Sequence, residues 1–169
     1  MKLREYVITA LLIAIGFVLH AIVPAFFGMK FDTVLAFMML AIVLHPNRKN
    51  VLIAGLLAGI MAALTSTFPG GQIANMVDKP VTAFSVFFML QLFAKLQNET
   101  LRSVLIGFIG TVISGSLFLL TALVMVGLPA PFPALFATVV LPTAALTGPF
   151  LAVLTKSAST AMRTLAPSR

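Results

Sequence analysis

Residues 101–128 read LRSVLIGFIGTVISGSLFLLTALVMVGL, and this stretch decides the class of fold. After Arg102 it contains no charged side chain. An α-helix needs about 20 apolar residues to cross roughly 30 Å of hydrocarbon. The stretch is therefore long enough to span a membrane, and it predicts a transmembrane helix.

The rest of the chain has the same apolar character. Hydrophobic residues occupy 60% of the 169 positions and charged residues only 9%, and the mean hydropathy is +1.13. These values exclude a water-soluble fold. Further apolar runs, of which the second is the shortest, cover residues 3–23, 33–44, 51–67, 80–96 and 132–161. We predict an all-α integral membrane protein, with residues 1–169 forming a single domain that is a bundle of six transmembrane helices.

The first of these runs follows a basic start, Met1-Lys2-Leu3-Arg4-Glu5, that resembles the beginning of a signal peptide. The apolar stretch then continues to about Pro24 without a cleavage site of small residues. It is too long for the hydrophobic part of a signal peptide and has the length of a membrane span. We expect it to be retained as the first helix.

The basic residues predict the orientation of the bundle. The links 45–50 and 95–102 are short and basic, so the positive-inside rule places them in the cytoplasm. With both termini on that side, nine of the eleven basic residues lie inside, namely Lys2, Arg4, Arg48, Lys49, Lys95, Arg102, Lys156, Arg163 and Arg169. Only Lys30 and Lys79 then lie outside. An even number of spans with both termini cytoplasmic satisfies this distribution.

Several other classes of function are disfavoured by the residues. The chain has no Cys, and the pair Lys156-Ser157 has no Gly-rich loop before it, so we expect no metal, no cofactor and no nucleotide hydrolysis by this chain. The scattered basic residues predict no nucleic-acid partner. An enzyme is unexpected too, because the cytoplasmic side offers only Glu5, His45 and Glu99 as acid and base, and we predict no catalytic residue.

Most of the polar chemistry on the predicted outer side lies in residues 65–80, TSTFPGGQIANMVDKP. Pro69-Gly70-Gly71 permits a sharp reversal with free backbone N–H groups, and Pro80 is typical of the first turn of a helix, whose N-terminus would favour an anion. The candidate solute-binding residues here are Thr67, Phe68, Gly70, Gly71, Gln72, Asn75, Asp78 and Lys79. The alternative is that Asp78 caps the fourth helix, Lys79 reaches out to the membrane surface and the glycines only turn the chain.

Three more candidates come from the links that precede this segment. Asp32, like Asp78, lies at an outer helix end beside an outer cation, and the cation beside Asp32 is Lys30. His20 lies about one turn from the outer end of the first helix, where it would contact solute or form a hydrogen bond to another helix. An aromatic solute would also find stacking partners in the outer links, at Phe26, Phe27, Phe31, Phe68 and Met76.

Small residues four positions apart allow close approach of helices. Ala10 with Ala14 and Gly55 with Gly59 have this spacing, which also arises readily by chance in a chain so rich in Ala.

The chain resembles the tryptophan transport protein family along most of its length. The matching motifs are Ala14-Ile15-Gly16, Leu19-His20, Pro24, Phe26-Phe27-Gly28, Met29-Lys30, the run Thr67-Phe68-Pro69-Gly70-Gly71-Gln72-Ile73, Asn75, Asp78-Lys79-Pro80, Val126-Gly127-Leu128-Pro129 and Val139-Val140-Leu141-Pro142. This family is similar to the substrate-binding S-components of energy-coupling factor (ECF) transporters. The resemblance implies six helices with both termini inside and a solute pocket capped by the outer loops.

The resemblance also implies partners and a solute. Ala10 and Ala14 would dock onto a coupling transmembrane protein that is driven by two ATPase subunits. Tryptophan would bind with its ammonium on Asp78 or Asp32 and its carboxylate on Lys79 or a helix N-terminus, while Gln72 and Asn75 add hydrogen bonds.

Other functions remain open at this point. One is a stand-alone secondary carrier coupled to protons or sodium, disfavoured because no carboxylate is expected at mid-membrane and no inverted repeat is visible. The others are an S-component for another small solute such as a vitamin and a purely structural membrane subunit.

Overall fold

The computed structural model describes residues 3–26 and 29–164, which form a bundle of helices and one short hairpin. The helices are α1 Leu3–Ile22, α2 Thr33–Leu44, α3 Arg48–Thr65, α4 Gly71–Leu92 and α5 Glu99–Met125. The last, α6, begins as Phe132–Leu135, passes through a π-helical turn at Phe136–Val140 and continues as Leu141–Thr164. The strands β1 (Ala25–Phe26) and β2 (Met29–Lys30) pair antiparallel between α1 and α2.

Five of the helices are long and apolar enough to cross a membrane, and α2 is not. With 12 residues, α2 measures about 18 Å at about 1.5 Å per residue, well short of the roughly 30 Å of hydrocarbon. The prediction of a helical membrane protein is therefore confirmed, whereas α2 is too short for the expected sixth span. The orientation of the termini stays a prediction, and of the basic residues used for it Lys2, Arg169 and the side chain of Arg163 lie outside the described part.

Although α2 is short, it forms the centre of the bundle. Residues 33–42 are all buried, and a helix that is apolar on every side belongs in a core. It packs against α1, α3, α4 and α6. The first turn of α2 therefore lies inside the bundle, next to the membrane-spanning helices.

Both ends of α2 are satisfied by side chains, as they must be where water is absent. At the start, Asp32 accepts a hydrogen bond of 2.8 Å from the Leu35 backbone N–H. At the end, the buried Asn50 amide donates to the carbonyl of Ala41 at 3.0 Å and to that of His45 at 2.9 Å. These contacts fix the position of Asp32, which is part of the candidate site.

The helix α4 differs most from the prediction. It was expected to begin at Pro80, but it begins at Gly71, and Pro80 lies in its interior. A proline there cannot donate to the carbonyl one turn earlier, yet such prolines are tolerated in membrane helices where neighbours pack closely. Consequently residues 72–79 are helical, Asp78 does not cap the helix, and the expected N-terminus at Pro80 does not exist.

Two glycines bring α3 directly against this polar part of α4. A Cβ atom added at Gly55 would lie 2.9 Å from the Cα of Pro80, and one added at Gly59 would lie 3.2 Å from the carbonyl oxygen of Asn75. Gly55 and Gly59 thus allow α3 and α4 to pack closely, as their spacing predicts.

Candidate functional site

The inner face of α4 carries a row of buried polar side chains. Asn75, Asp78, Lys79 and Thr82 all point into the bundle, which follows from helical spacing. Lys79 is only 1% exposed and Asp78 is fully buried. Lys79 therefore does not reach out to the membrane surface, and the bundle must balance its charge internally because an unpaired ion there is costly.

The ammonium group of Lys79 is the centre of this cluster. Its Nζ lies 2.8 Å from Asp32 Oδ2 and 2.9 Å from Asp78 Oδ2, and it donates to Asn75 Oδ1 at 3.1 Å. From α5, Ser114 Oγ donates to Asp78 Oδ1 at 2.8 Å. An ammonium has three donors, so Asp32, Asp78 and Asn75 use all of them. The cluster connects the start of α2 with α4 and α5.

With every group ionised, the two carboxylates and one ammonium sum to a charge of −1. Burial raises the pKa of Asp32, but the nearby Lys79 ammonium and its hydrogen bond outweigh that effect and lower the pKa below its ordinary value. Asp32 is therefore ionised at neutral pH. Excess negative charge in a poorly polarisable interior attracts a further cation, either a proton or a cationic group of a solute.

A pocket opens directly beside the charged cluster. Its lining residues come from α1, β2, α2, the link after α3, α4, α5 and α6. The empty space between them, counted out to the mouth, is about 600 Å³. Part of this space is the open mouth, so the pocket is a cleft that is continuous with the outside of the bundle.

One wall of the pocket is apolar and aromatic. Phe118 of α5 and Phe68 of the link after α3 meet edge to face, with ring centroids 5.4 Å apart. Val139 and Val140 join them from the π-helical turn of α6, and π-turns are frequent at functional sites. The pocket thus combines a charged floor with an apolar wall, which suits a solute with a zwitterionic end and an aromatic body.

His20 lies at the rim of the pocket. Its Nδ1 is 2.6 Å from Thr65 Oγ1 of α3, so the interhelical hydrogen bond that was one of two alternatives is present. The ring also lines the pocket. Lys30 of β2 donates to the His20 carbonyl at 3.3 Å and lines the pocket as well.

Eight of the eleven residues proposed from the sequence line this pocket, namely His20, Lys30, Asp32, Thr67, Phe68, Asn75, Asp78 and Lys79. Gln72 is exposed in the first turn of α4 and is not in the described lining. Gly70 and Gly71 form the turn into α4: Gly70 has a φ of 69°, and a side chain at Gly71 would collide with Ser66 Oγ. The expected free N–H of Gly71 donates to the Phe68 carbonyl at 2.9 Å.

The other proposed stacking residues are not in the described lining. Phe31 instead meets Phe150 edge to face at 5.7 Å, and Met76 is 45% exposed on the outside of α4. Phe27 and the side chain of Phe26 lie outside the described part of the chain.

Nine further lining residues, most of them on α5 and α6, were not predicted from the sequence. The missed lining residues are Leu35, Ser66, Thr111, Ser114, Gly115, Phe118, Val139, Val140 and Thr143. Thr111 and Ser114 carried a signal, because they are polar residues three positions apart in an apolar helix and therefore share one face. The apolar lining residues carried no such signal in the sequence.

A helical membrane protein with a charged pocket inside its bundle has the features of a membrane transporter for small molecules. The chain matches the family described as Tryptophan transporter TrpP over residues 2–163, and it belongs to that family. The resemblance drawn from the sequence is confirmed.

Proteins named probable tryptophan transport protein are similar to it along most of their length. The protein of Bacillus subtilis (strain 168) is 50% identical over 147 residues, which cover 86% of this chain and 85% of the relative. That of Clostridium acetobutylicum is 45% identical over 143 residues, 84% of each chain. That of Clostridium perfringens is 43% identical over 149 residues, 82% of each. No solved structure gives a significant match.

Proposed function

We propose that the chain binds tryptophan in this pocket and serves as the substrate-binding S-component of an ECF-type transporter in a bacterial plasma membrane. The observation that carries the proposal is Lys79, buried between Asp32 and Asp78 next to an aromatic wall. A zwitterion with an apolar body complements both features. The family and the named relatives support tryptophan as the solute.

Binding proceeds by exchange of partners within the charged cluster. Lys79 already donates to Asp32, Asp78 and Asn75. It can therefore donate to a solute only after it releases one of these three residues. The solute ammonium replaces Lys79 at one carboxylate, and the solute carboxylate takes the donor that is released. Each charge keeps a partner throughout, which avoids an unpaired ion in the bundle.

The apolar wall supplies selectivity for a large side chain. An aromatic side chain buries about 150–250 Å², and at about 25 cal/mol per Å² of apolar surface this contributes roughly 4–6 kcal/mol. Phe68 and Phe118 already meet edge to face, and an indole placed beside them extends that arrangement. Glycine or alanine makes the same charged contacts without this gain.

Thermal unfolding of the detergent-purified protein, measured with each of the twenty amino acids and a few vitamins, tests the binding proposal. At about 100 times its Kd, tryptophan stabilises the folded state by about 2.7 kcal/mol, which raises Tm by roughly 5–10 °C in a protein of this size. Glycine and alanine leave Tm unchanged. A rise with a vitamin instead would assign the pocket to another solute, and no rise with any of them would contradict the proposal.

The S-component role needs partners, and α1 offers a surface for them. Ala10 and Ala14 are both exposed and lie one turn apart on the same face of α1. We infer that this face docks onto the coupling transmembrane protein, which works with two ATPase subunits. Small side chains let the backbone of a second helix come close.

A stand-alone carrier is the second candidate, and one observation favours it. The sequence predicts no carboxylate at mid-membrane, which disfavours such a carrier. Asp78, however, is fully buried and lies seven residues after Gly71 in α4, which is roughly 10 Å along the helix. A buried carboxylate at that depth can take up a proton.

Bulky residues on α1 distinguish the two mechanisms. Ala10→Phe combined with Ala14→Phe is expected to lower tryptophan uptake in cells at least about tenfold, because a docked helix can no longer approach, while the purified variant still binds tryptophan. Leu11→Phe is the control, since Leu11 is already large and is 58% exposed. Uptake by the protein alone in lipid vesicles, driven by a pH gradient and abolished by an uncoupler, would establish the carrier mechanism instead.

A further inference from the structure

His20 is the one aromatic nitrogen base in the described pocket lining, and it is almost closed off from solvent. The side chain is 6% exposed and lines the same pocket as Phe68 and the charged cluster. We propose that His20 determines specificity by accepting a hydrogen bond at Nε2 from the indole N–H of the solute. This inference rests on the proposed function, because it concerns the side chain of the tryptophan bound there.

The hydrogen bonds around Thr65 set the tautomer of His20. Thr65 has a single hydroxyl hydrogen, and its Oγ1 lies 3.1 Å from the carbonyl of Met61, one turn earlier in α3. Donation to that carbonyl leaves Oγ1 as the acceptor for His20 Nδ1, which is 2.6 Å away. Nδ1 then carries the proton of the neutral ring, and Nε2 is left with a lone pair.

Among the described residues, the side-chain hydrogen bond of His20 is the one between Nδ1 and Thr65, and none of them donates to Nε2. The other strong acceptors in the pocket are occupied. Asp78 takes hydrogen bonds from Lys79 and Ser114, and Asp32 takes them from Lys79 and the Leu35 backbone. The carboxylates are also the partners of the solute ammonium in the proposed exchange. Nε2 is thus an acceptor in the pocket lining that the described residues leave open to a neutral donor.

An indole N–H requires such an acceptor when it is buried. It is a donor only, and leaving it unpaired away from water costs free energy. Phenylalanine fills the same apolar wall but leaves Nε2 without a partner. The pair of Nε2 and indole N–H therefore distinguishes tryptophan from apolar aromatic amino acids, which the wall of Phe and Val side chains cannot do.

The test compares L-tryptophan with 3-benzothienyl-L-alanine, in which sulfur replaces the N–H at nearly the same shape. Kd is measured for both with the detergent-purified full chain. The parent is expected to prefer tryptophan by about 10- to 100-fold, the range for one buried hydrogen bond and its unpaired alternative. In His20→Phe, which has no acceptor, the two Kd values come within about twofold. His20→Leu gives the same result and replaces His20→Phe if that variant does not fold.

Two further variants separate a specific contact from a general structural effect. His20→Gln restores an acceptor oxygen and is expected to regain part of the preference. His45→Phe changes the other histidine, which follows the last residue of α2 and is not in the described pocket lining. This variant is expected to keep the full preference. Equal binding of both ligands by the parent, or an unchanged preference in His20→Phe and His20→Leu, overturns the inference and leaves the proposed function intact. A parent that binds neither ligand overturns both.

Discussion

Asp78→Asn is expected to weaken tryptophan binding by about 100-fold and to leave the bundle folded. In this variant Lys79 keeps Asp32 at 2.8 Å and Asn75 at 3.1 Å, so no buried charge loses its partner. The charge of the cluster changes from −1 to zero, and the solute ammonium loses a carboxylate. A hydrogen bond to a charged group contributes up to about 3 kcal/mol, which corresponds to the expected change in Kd.

Calorimetric titration of the purified variant with tryptophan measures the effect. Glu99→Gln is the matched control, because it also neutralises one acid, and Glu99 is exposed at the start of α5. The control is expected to bind as the parent does. If Asp78→Asn also keeps the parental Kd, the ammonium does not bind at this cluster and the proposed orientation of the solute is wrong.

Much of the helical framework could be predicted from the sequence, because apolar runs of membrane length carry a strong signal. The predicted bounds of α2 coincide with those observed at residues 33–44. The start of α4 could not be predicted in the same way. Gly70 and Pro80 both resemble the beginning of a helix, and the close packing of α3 against Pro80, which accompanies the proline inside the helix, is not visible in the sequence.

The charged half of the pocket was also visible in the sequence, for a physical reason. Ionisable residues are rare in a membrane protein and expensive to bury, so Asp32, Asp78 and Lys79 stood out. The residues of the apolar half do not differ in this way from the rest of the chain. Phe118, Val139 and Val140 are apolar residues among many others. Only the packing of α6 against α5 places them in the pocket lining. In particular, a Cβ added at Gly115 would lie 2.6 Å from Val140, so the π-helical turn rests directly on this glycine.

The largest effect on stability is expected for Lys79→Met. Removing the ammonium leaves Asp78 fully buried and Asp32 19% exposed, with no cation between them. Breaking a buried ion pair from one side costs about 3–5 kcal/mol because the remaining charge has no partner. We expect Tm of the purified protein to fall by about 10 °C and tryptophan binding to be lost. Lys95→Met, at an exposed lysine after α4, is the control and should change neither.

The double variant Asp78→Asn with Lys79→Met distinguishes an unpaired charge from a loss of packing. It removes both fully buried charges, and Asp32 keeps its partial exposure and the Leu35 backbone N–H. Replacing a buried pair as a unit is often neutral, so Tm should return most of the way to the parental value, although binding stays lost. If the double variant unfolds at the same temperature as Lys79→Met, the aliphatic stem of Lys79 and not its charge stabilises the bundle, and the electrostatic account of the cluster fails.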